Sequence, residues 1–107
     1  MRATNDCRLS GDLIETEPLR YTPARVPVWS GRIAHRSRQV EAGIGRDVAC
    51  QAEVVAVGDM AVQLATARLG SQLALRGFLA PRRRGGRALA LHVNEIEAVG
   101  EIDTEGV

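Results

Sequence analysis

A small all-β barrel is the fold class this sequence predicts, on three observations. Apolar and polar residues alternate with a period of two over five separate stretches. Glycine and proline clusters punctuate the gaps between them. The only aromatic residues among the 107 are Tyr21, Trp29 and Phe78, so the core must be assembled from Val, Leu, Ile and Ala. A chain of this length is one domain and can bury about two-thirds of its unfolded surface. Its strands must still hide their edges, and closing the sheet on itself does that.

The first strand is "NDCRLSGDLIE", with Cys7, Leu9, Gly11 and Leu13 facing inward, Arg8, Ser10 and Asp12 facing out, and a bulge or bend expected at Gly11. "TEPLRYTPAR" carries two prolines and breaks the pattern, which makes it a loop of some length. "VPVWSGRIAHRSRQ" resumes the alternation: Trp29, Gly31, Ile33 and His35 share the apolar face, and Arg32, Ala34, Arg36 and Arg38 the other. "VEAGIGR" follows as a second loop. "DVACQAEVVAV" is the third strand, with Val48, Cys50, Ala52 and Val54 inward.

"GDMAVQLATARLG" fits two descriptions equally. It is either a short helix capped by Asp59 and ended by Gly70, with Val62, Ala65 and Leu69 on one face, or a structured loop. "SQLALRGFLAP" alternates Leu73, Leu75, Gly77 and Leu79 against Ala74, Arg76, Phe78 and Ala80. "RALALHVNEIEAV" alternates Leu89, Leu91 and Val93 and then slips phase toward Ile96.

Five strands with at most one helix after the third suit the oligonucleotide-binding (OB) Greek-key barrel. That fold tolerates long loops between its first two and its last two strands, and it binds through them. An SH3-like barrel would show tighter loops and more aromatics. The barrel is assigned to residues 1–99 and a short acidic tail, expected to be flexible, to 100–107.

The net charge of +1 conceals an uneven distribution. All fourteen basic residues are arginine, with no lysine; from Glu95 onward there are five acids and no base. The body is therefore basic and the end acidic. The densest positive charge is "PRRRGGR", between the fourth and fifth strands, where Gly85 and Gly86 are expected at positive φ. Arg82, Arg83, Arg84 and Arg87 repel one another there, and a bound polyanion would offset that repulsion while releasing counterions. A solvated hairpin tip is the plainer alternative. Arg32, Arg36 and Arg38 form a row on the second strand, with Asp12 and Glu53 as possible acidic neighbours. Arg20, Arg25 and Arg46 extend the row into the flanking loops. Such a groove suits a sugar–phosphate backbone. Tyr21 is the best candidate for an exposed stacking ring, Trp29 belongs to the core, and Phe78 faces either the groove or a partner subunit.

Signals for other functions are weak. Cys7 and Cys50 have no metal-ligand spacing and read as reduced thiols, buried or half-buried, in a cytoplasmic protein. The first residues lack the apolar run of a signal peptide, and no stretch approaches the ~20 apolar residues of a membrane span. His35 and His92 sit in strands with no nucleophile signature nearby, and no phosphate-binding glycine motif occurs. Neither enzyme activity, nor a cofactor, nor a small-molecule substrate is expected.

"LSG" at Leu9, "PLR" at Pro18, "HRS" at His35, "EAG" at Glu41, Cys50–Gln51, "LGS" at Leu69, "GF" at Gly77 and "LH" before "EIE" resemble, in order and spacing, the bacterial primosomal replication protein N family. The match runs from about Asn5 to Val99, and "HRS" followed by "EAG" is its most specific part. The resemblance implies an OB-fold homodimer related to single-stranded DNA-binding proteins. It also implies a non-enzymatic role in replication restart, in which the protein binds single-stranded DNA, docks on the primosomal helicase and helps recruit the next loading factor. Arg36 matches a DNA-contacting arginine of the family, and Arg82 to Arg87 occupy the loop that holds its contacting lysines. Ala49 stands where enteric members have tryptophan, Tyr21 stands where they have lysine, and the basic loop is slightly shorter. Loss of a stacking ring weakens single-strand binding by ~1–3 kcal/mol unless another ring or an arginine replaces it. Two other functions stay open: a primosome adaptor with weak DNA binding, and a cold-shock-like RNA binder, which the scarcity of aromatics disfavours.

Overall fold

The computed structural model describes residues 2–100. Its elements are β1 (Cys7–Thr16), β2 (Arg20–Tyr21), β3 (Pro27–Glu41), β4 (Ile44–Val57), α1 (Asp59–Leu64), β5 (Gln72–Pro81) and β6 (Leu89–Gly100). The five long strands run in the order β1-β5-β6-β4-β3, and β3 returns to β1, so the sheet closes as an OB barrel. The two-residue β2 is a short ribbon on the outer edge of β3 and lies inside the expected long loop.

Antiparallel hairpins build most of the ring. The closing seam is a short parallel pairing of β4 with β6, Val54 beside Leu91 and Val55 beside His92. The inward residues of the alternating stretches meet inside it. Leu13, Trp29, Ile33, Val54, Ala56, Leu73, Leu75, Leu91 and Val93 form one buried cluster with Ala61 and Leu64 of the helix. Trp29 belongs to the core, as expected, and its indole N–H donates to Thr16 Oγ1 at 2.9 Å. A buried indole needs such a partner.

Several local expectations are corrected. Gly58, at φ 73°, precedes α1 and no side chain caps it; Asp59 is the first helical residue, where its charge still suits the helix dipole. The face turned inward is Ala61 and Leu64, while Val62 and Leu69 are exposed. The helix ends at Leu64, well short of Gly70, whose N–H donates to Leu13 O and ties the following loop to β1. In β1 the bulge lies at Ile14, between the pairs Leu13–Ile33 and Glu15–Arg32. Gly11 serves a different need: a Cβ there would sit 2.5 Å from the carbonyl oxygen of Ala34, so glycine lets β3 approach. The phase slip in β6 is real, with extra residues at Asn94 and Glu97 against β5.

The largest correction concerns "VEAGIGR". It is not a loop but the end of a long hairpin. β3 and β4 pair without interruption from Val28–Val57 to Glu41–Ile44, and only Ala42 and Gly43 turn between them. Both have positive φ, 52° and 76°, the two-residue geometry that follows strand twist. The outer half of this hairpin leaves the barrel as an arm. Cys50, expected inward, is therefore exposed, and Val48 is only half-buried; both thiols are free, and Cys7 is half-buried as expected. Of the acidic tail, Gly100 ends β6 and residues 101–107 lie outside the described residues.

Candidate nucleic-acid interface

Two loops converge on the outer face of β3 and β4. The segment between β1 and β3 approaches from one side, and the loop between β5 and β6 (82–88) from the other. Arg82 starts the second loop and reaches across: its Nη1 donates to Glu53 Oε1 on β4 at 3.0 Å, and its Nη2 lies 3.5 Å from Glu17 Oε1 in the first segment. Arg32, paired in register with Glu53, donates to the same Glu53 oxygen at 3.3 Å, and through Nε to Glu15 Oε2 at 3.0 Å. Arg20 completes the chain, 3.5 Å from Glu17 Oε2 and 3.4 Å from Ser30 Oγ. All of these but Arg20 line a polar cleft of about 200 Å³ floored by Ser30, Gly31, Val54 and Val55. The ion-pair cluster, with Arg20 at its edge, sets three arginines against three carboxylates and carries no net charge; the cleft lining itself has two arginines and three carboxylates.

Arg20, Arg32 and Arg82, proposed from the sequence as a basic row, are thus brought together and neutralised. Glu53 was one of the two acids the sequence offered as partners; Asp12 forms no ion pair among the described residues. Glu15 and Glu17 carried no such signal. It is the bulge at Ile14 that shifts Glu15 opposite Arg32.

The other candidates lie apart from the cleft. Arg36 and Arg46 are on the arm, and Arg46 pairs with Glu41 at 2.9 Å. Arg38, their neighbour, pairs with Asp47 at 3.0 Å. Arg36 has no acidic partner among the described residues and stands opposite Ala49, the position where enteric members of the resembling family carry tryptophan. It lines a groove of about 870 Å³ with Gly11, His35, Cys50, Leu73 and Val99, where β1 parts from β3. Arg83, Arg84 and Arg87 crown the exposed turn of the basic loop, again with no carboxylate partner among the described residues. Of its two glycines only Gly85 has positive φ, 75°. The turn is closed by Arg82 N–H to Ala88 O at 2.9 Å and Gly86 N–H to Arg83 O at 2.8 Å.

Aromatic surface is sparse but present. Tyr21 is 63 % exposed beside Arg20. Phe78 stacks on His92 with ring centroids 5.2 Å apart and planes 11° from parallel. This pair, which alternation alone did not suggest, sits on the outer face of β5 and β6 next to Val55. His35 is satisfied structurally, within 2.7 Å of Ser10 O and 2.8 Å of Ser37 Oγ. Away from the cleft, Arg76 donates twice to Asp6, at 3.1 and 3.0 Å; these hydrogen bonds hold the Asp6 carboxyl below its ordinary value and raise the Arg76 guanidinium.

Comparison with known proteins agrees with this fold. Residues 5–95 match the model of a family described as another single-strand binding protein family. The chain belongs to that family. It is 36% identical over 95 residues to the replication restart protein PriB of Bordetella pertussis, covering 89% of each chain. It is 33% identical over 106 residues to PriB of Yersinia pestis, covering 96% of this chain and all of that one. Among solved structures, PriB of Ralstonia solanacearum superposes with a TM-score of 0.80 at 34% identity, over 89% of this chain and 97% of that one. The SSB domain of a Synechococcus protein shares the fold, with a TM-score of 0.68 at 21% identity over 92% and 99% of the two chains. The resemblance read from "HRS", "EAG" and "CQ" and the OB architecture are therefore both established. No helix among the described residues is long and apolar enough to cross a membrane.

Proposed function

We propose that this chain is a non-enzymatic single-stranded DNA-binding accessory protein of replication restart. It acts in the cytoplasm as a homodimer that holds the primosomal helicase on DNA and aids recruitment of later loading factors. One observation carries this reading. Four arginines without carboxylate partners among the described residues, Arg36, Arg83, Arg84 and Arg87, flank the outer face of β3 and β4, where two loops of an OB barrel converge. Phosphates of a flexible strand meet these four first, because Arg20, Arg32, Arg46 and Arg82 are engaged by carboxylates. Tyr21 and Phe78 offer ring faces for bases. Arg36, with only a methyl group opposite it at Ala49, has an open guanidinium face for stacking. Two such faces in a dimer raise the local concentration of the helicase's substrate.

The test is anisotropy of a labelled single-stranded oligonucleotide at several salt concentrations, with duplex DNA as control. Preferential binding of the single strand, weakening with salt and lost when Arg83, Arg84 and Arg87 are replaced by alanine, is the expected result. A second reading, a primosome adaptor with weak DNA binding, is favoured by Ala49 and by the three carboxylates that line the cleft. Under it the triple replacement leaves stimulation of the helicase intact. Gel filtration with light scattering checks the dimer, and a monomer at all concentrations would remove it.

A further inference from the structure

We propose that Glu53 is a built-in competitor of the DNA phosphates: it holds Arg32 and Arg82 away from the strand and keeps single-strand affinity below what these arginines would give. The inference rests on the single-strand reading above and adds a residue that limits it. Both guanidinium groups converge on one oxygen, Glu53 Oε1, at 3.3 and 3.0 Å. The other, Oε2, is buried with no hydrogen-bond partner. A desolvated, unpartnered carboxylate oxygen is unfavourable, so stability alone does not account for a glutamate there. Each guanidinium already directs its donors at two carboxylates, Arg32 at Glu15 and Glu53 and Arg82 at Glu17 and Glu53, so a phosphate must compete with them for the same groups.

Glu53 differs from its two neighbours in the cleft. Glu15 and Glu17 have side chains that are 59% and 44% exposed, and they can swing into solvent when a phosphate arrives. The Glu53 side chain is 24% exposed, fixed on a central strand between Arg32 and Arg82, and it has nowhere to go. It therefore remains as negative charge in the middle of the face that the two loops frame. Phosphate density is deflected toward Arg36 on one side and Arg83, Arg84 and Arg87 on the other.

The experiment compares the full chain with Glu53→Gln, Asp59→Asn and Arg82→Ala by anisotropy over a salt series, with thermal melts confirming that each is folded. Glutamine keeps the shape and an acceptor but removes the charge. Asp59 pairs with no arginine among the described residues, so Asp59→Asn controls for net charge alone. The expected result is roughly tenfold tighter single-strand binding by Glu53→Gln. Its log–log salt slope should be steeper by about 1.4, for two arginines freed. Asp59→Asn should stay within about twofold of wild type, and Arg82→Ala in the Glu53→Gln background should remove Arg82's share of the gain, leaving a slope about 0.7 steeper from Arg32.

If wild type binds and Glu53→Gln binds equally or less tightly, Glu53 merely braces the loop and the proposal fails alone. An equal gain from Asp59→Asn overturns it too, since net charge would then suffice. Binding by Glu53→Gln where wild type shows none supports a competitor strong enough to mask the site. No binding by either overturns both this inference and the single-strand reading. Should Glu53→Gln not fold, Arg82→Ala in the wild-type background decides. A change within about twofold supports an arginine already engaged, and a tenfold loss shows that Arg82 grips DNA despite Glu53.

Discussion

The β3–β4 hairpin is two structures built from one pattern. Its inner half closes the barrel, where Ile33 and Val54 are fully buried; its outer half is the arm, where Val40 is 75% exposed and Ile44 70%. The same backbone ladder runs through both. Alternation along a strand states which side chains share a face, and it is silent on whether anything covers that face. In the inner half the opposite wall is supplied by β1, β5 and β6, which the hairpin meets only through residues far away in sequence. The arm extends past that wall.

The contrast is broken most severely by truncation at matched positions. Ile33→Ala should destabilise the protein by ~2–5 kcal/mol in denaturant unfolding, and Val40→Ala by less than about 0.5. Equal losses would mean that the arm's apolar residues are covered in the folded protein. Glycine gives the next largest split. A Cβ at Gly31 would lie 2.6 Å from the Trp29 ring and 2.8 Å from Glu15 O, whereas at Gly45 it would meet only the mobile guanidinium of Arg38 at 3.0 Å. Gly31→Ala is therefore expected to cost ~1–3 kcal/mol and Gly45→Ala almost nothing, read from the same unfolding curves.

Thiol chemistry sharpens the comparison without a mutation. Cys50 on the arm should react with a disulfide reagent much faster than the half-buried Cys7 on the barrel, followed by mass spectrometry of the labelled peptides. Slower labelling at Cys50 would place a covering surface on the arm. The smallest effect concerns the barrel's Asp6–Arg76 pair. Because the Asp6 carboxyl is held below its usual 3.8, its stabilisation is complete above that value and is lost as pH falls through the lowered one. Thermal melts of wild type and Asp6→Asn should differ slightly near neutrality and converge in acid. A gap that stays constant down to about pH 2 would sink the assignment.

The barrel was legible in the sequence because its inward residues repeat at a period of two and the residues interrupting them are turn formers. The arm was not, since an exposed antiparallel ladder needs no apolar face and "EAG" reads equally as a loop. The helix face was missed because six residues give fewer than two turns, too short for a period of 3.6 to declare itself. The cleft was legible by half. Arg32 and Glu53 followed from strand position, and Arg82 from the density of charge in its loop, while Glu15 entered through a bulge that no residue announces. Glu17 and Arg82 meet because two loops fold toward each other, a fact of tertiary structure alone.

The parallel seam between β4 and β6 bears on how the molecule comes apart. Only Val54–Leu91 and Val55–His92 are paired there, joining residues 37 apart in sequence, whereas the β3–β4 ladder forms from chain neighbours around a two-residue turn. Loop-closure entropy makes the hairpin an early event and the seam a late one. Opening should run in reverse, with β5 and β6 swinging out as a unit hinged on β1 and the amides bonded across the Val54–Leu91 and Val55–His92 seam exchanging with solvent before those bonded across the β3–β4 ladder. A barrel closed by so narrow a seam is a ring with a clasp, and the clasp lies directly beneath the cleft where Glu53 and Arg82 meet.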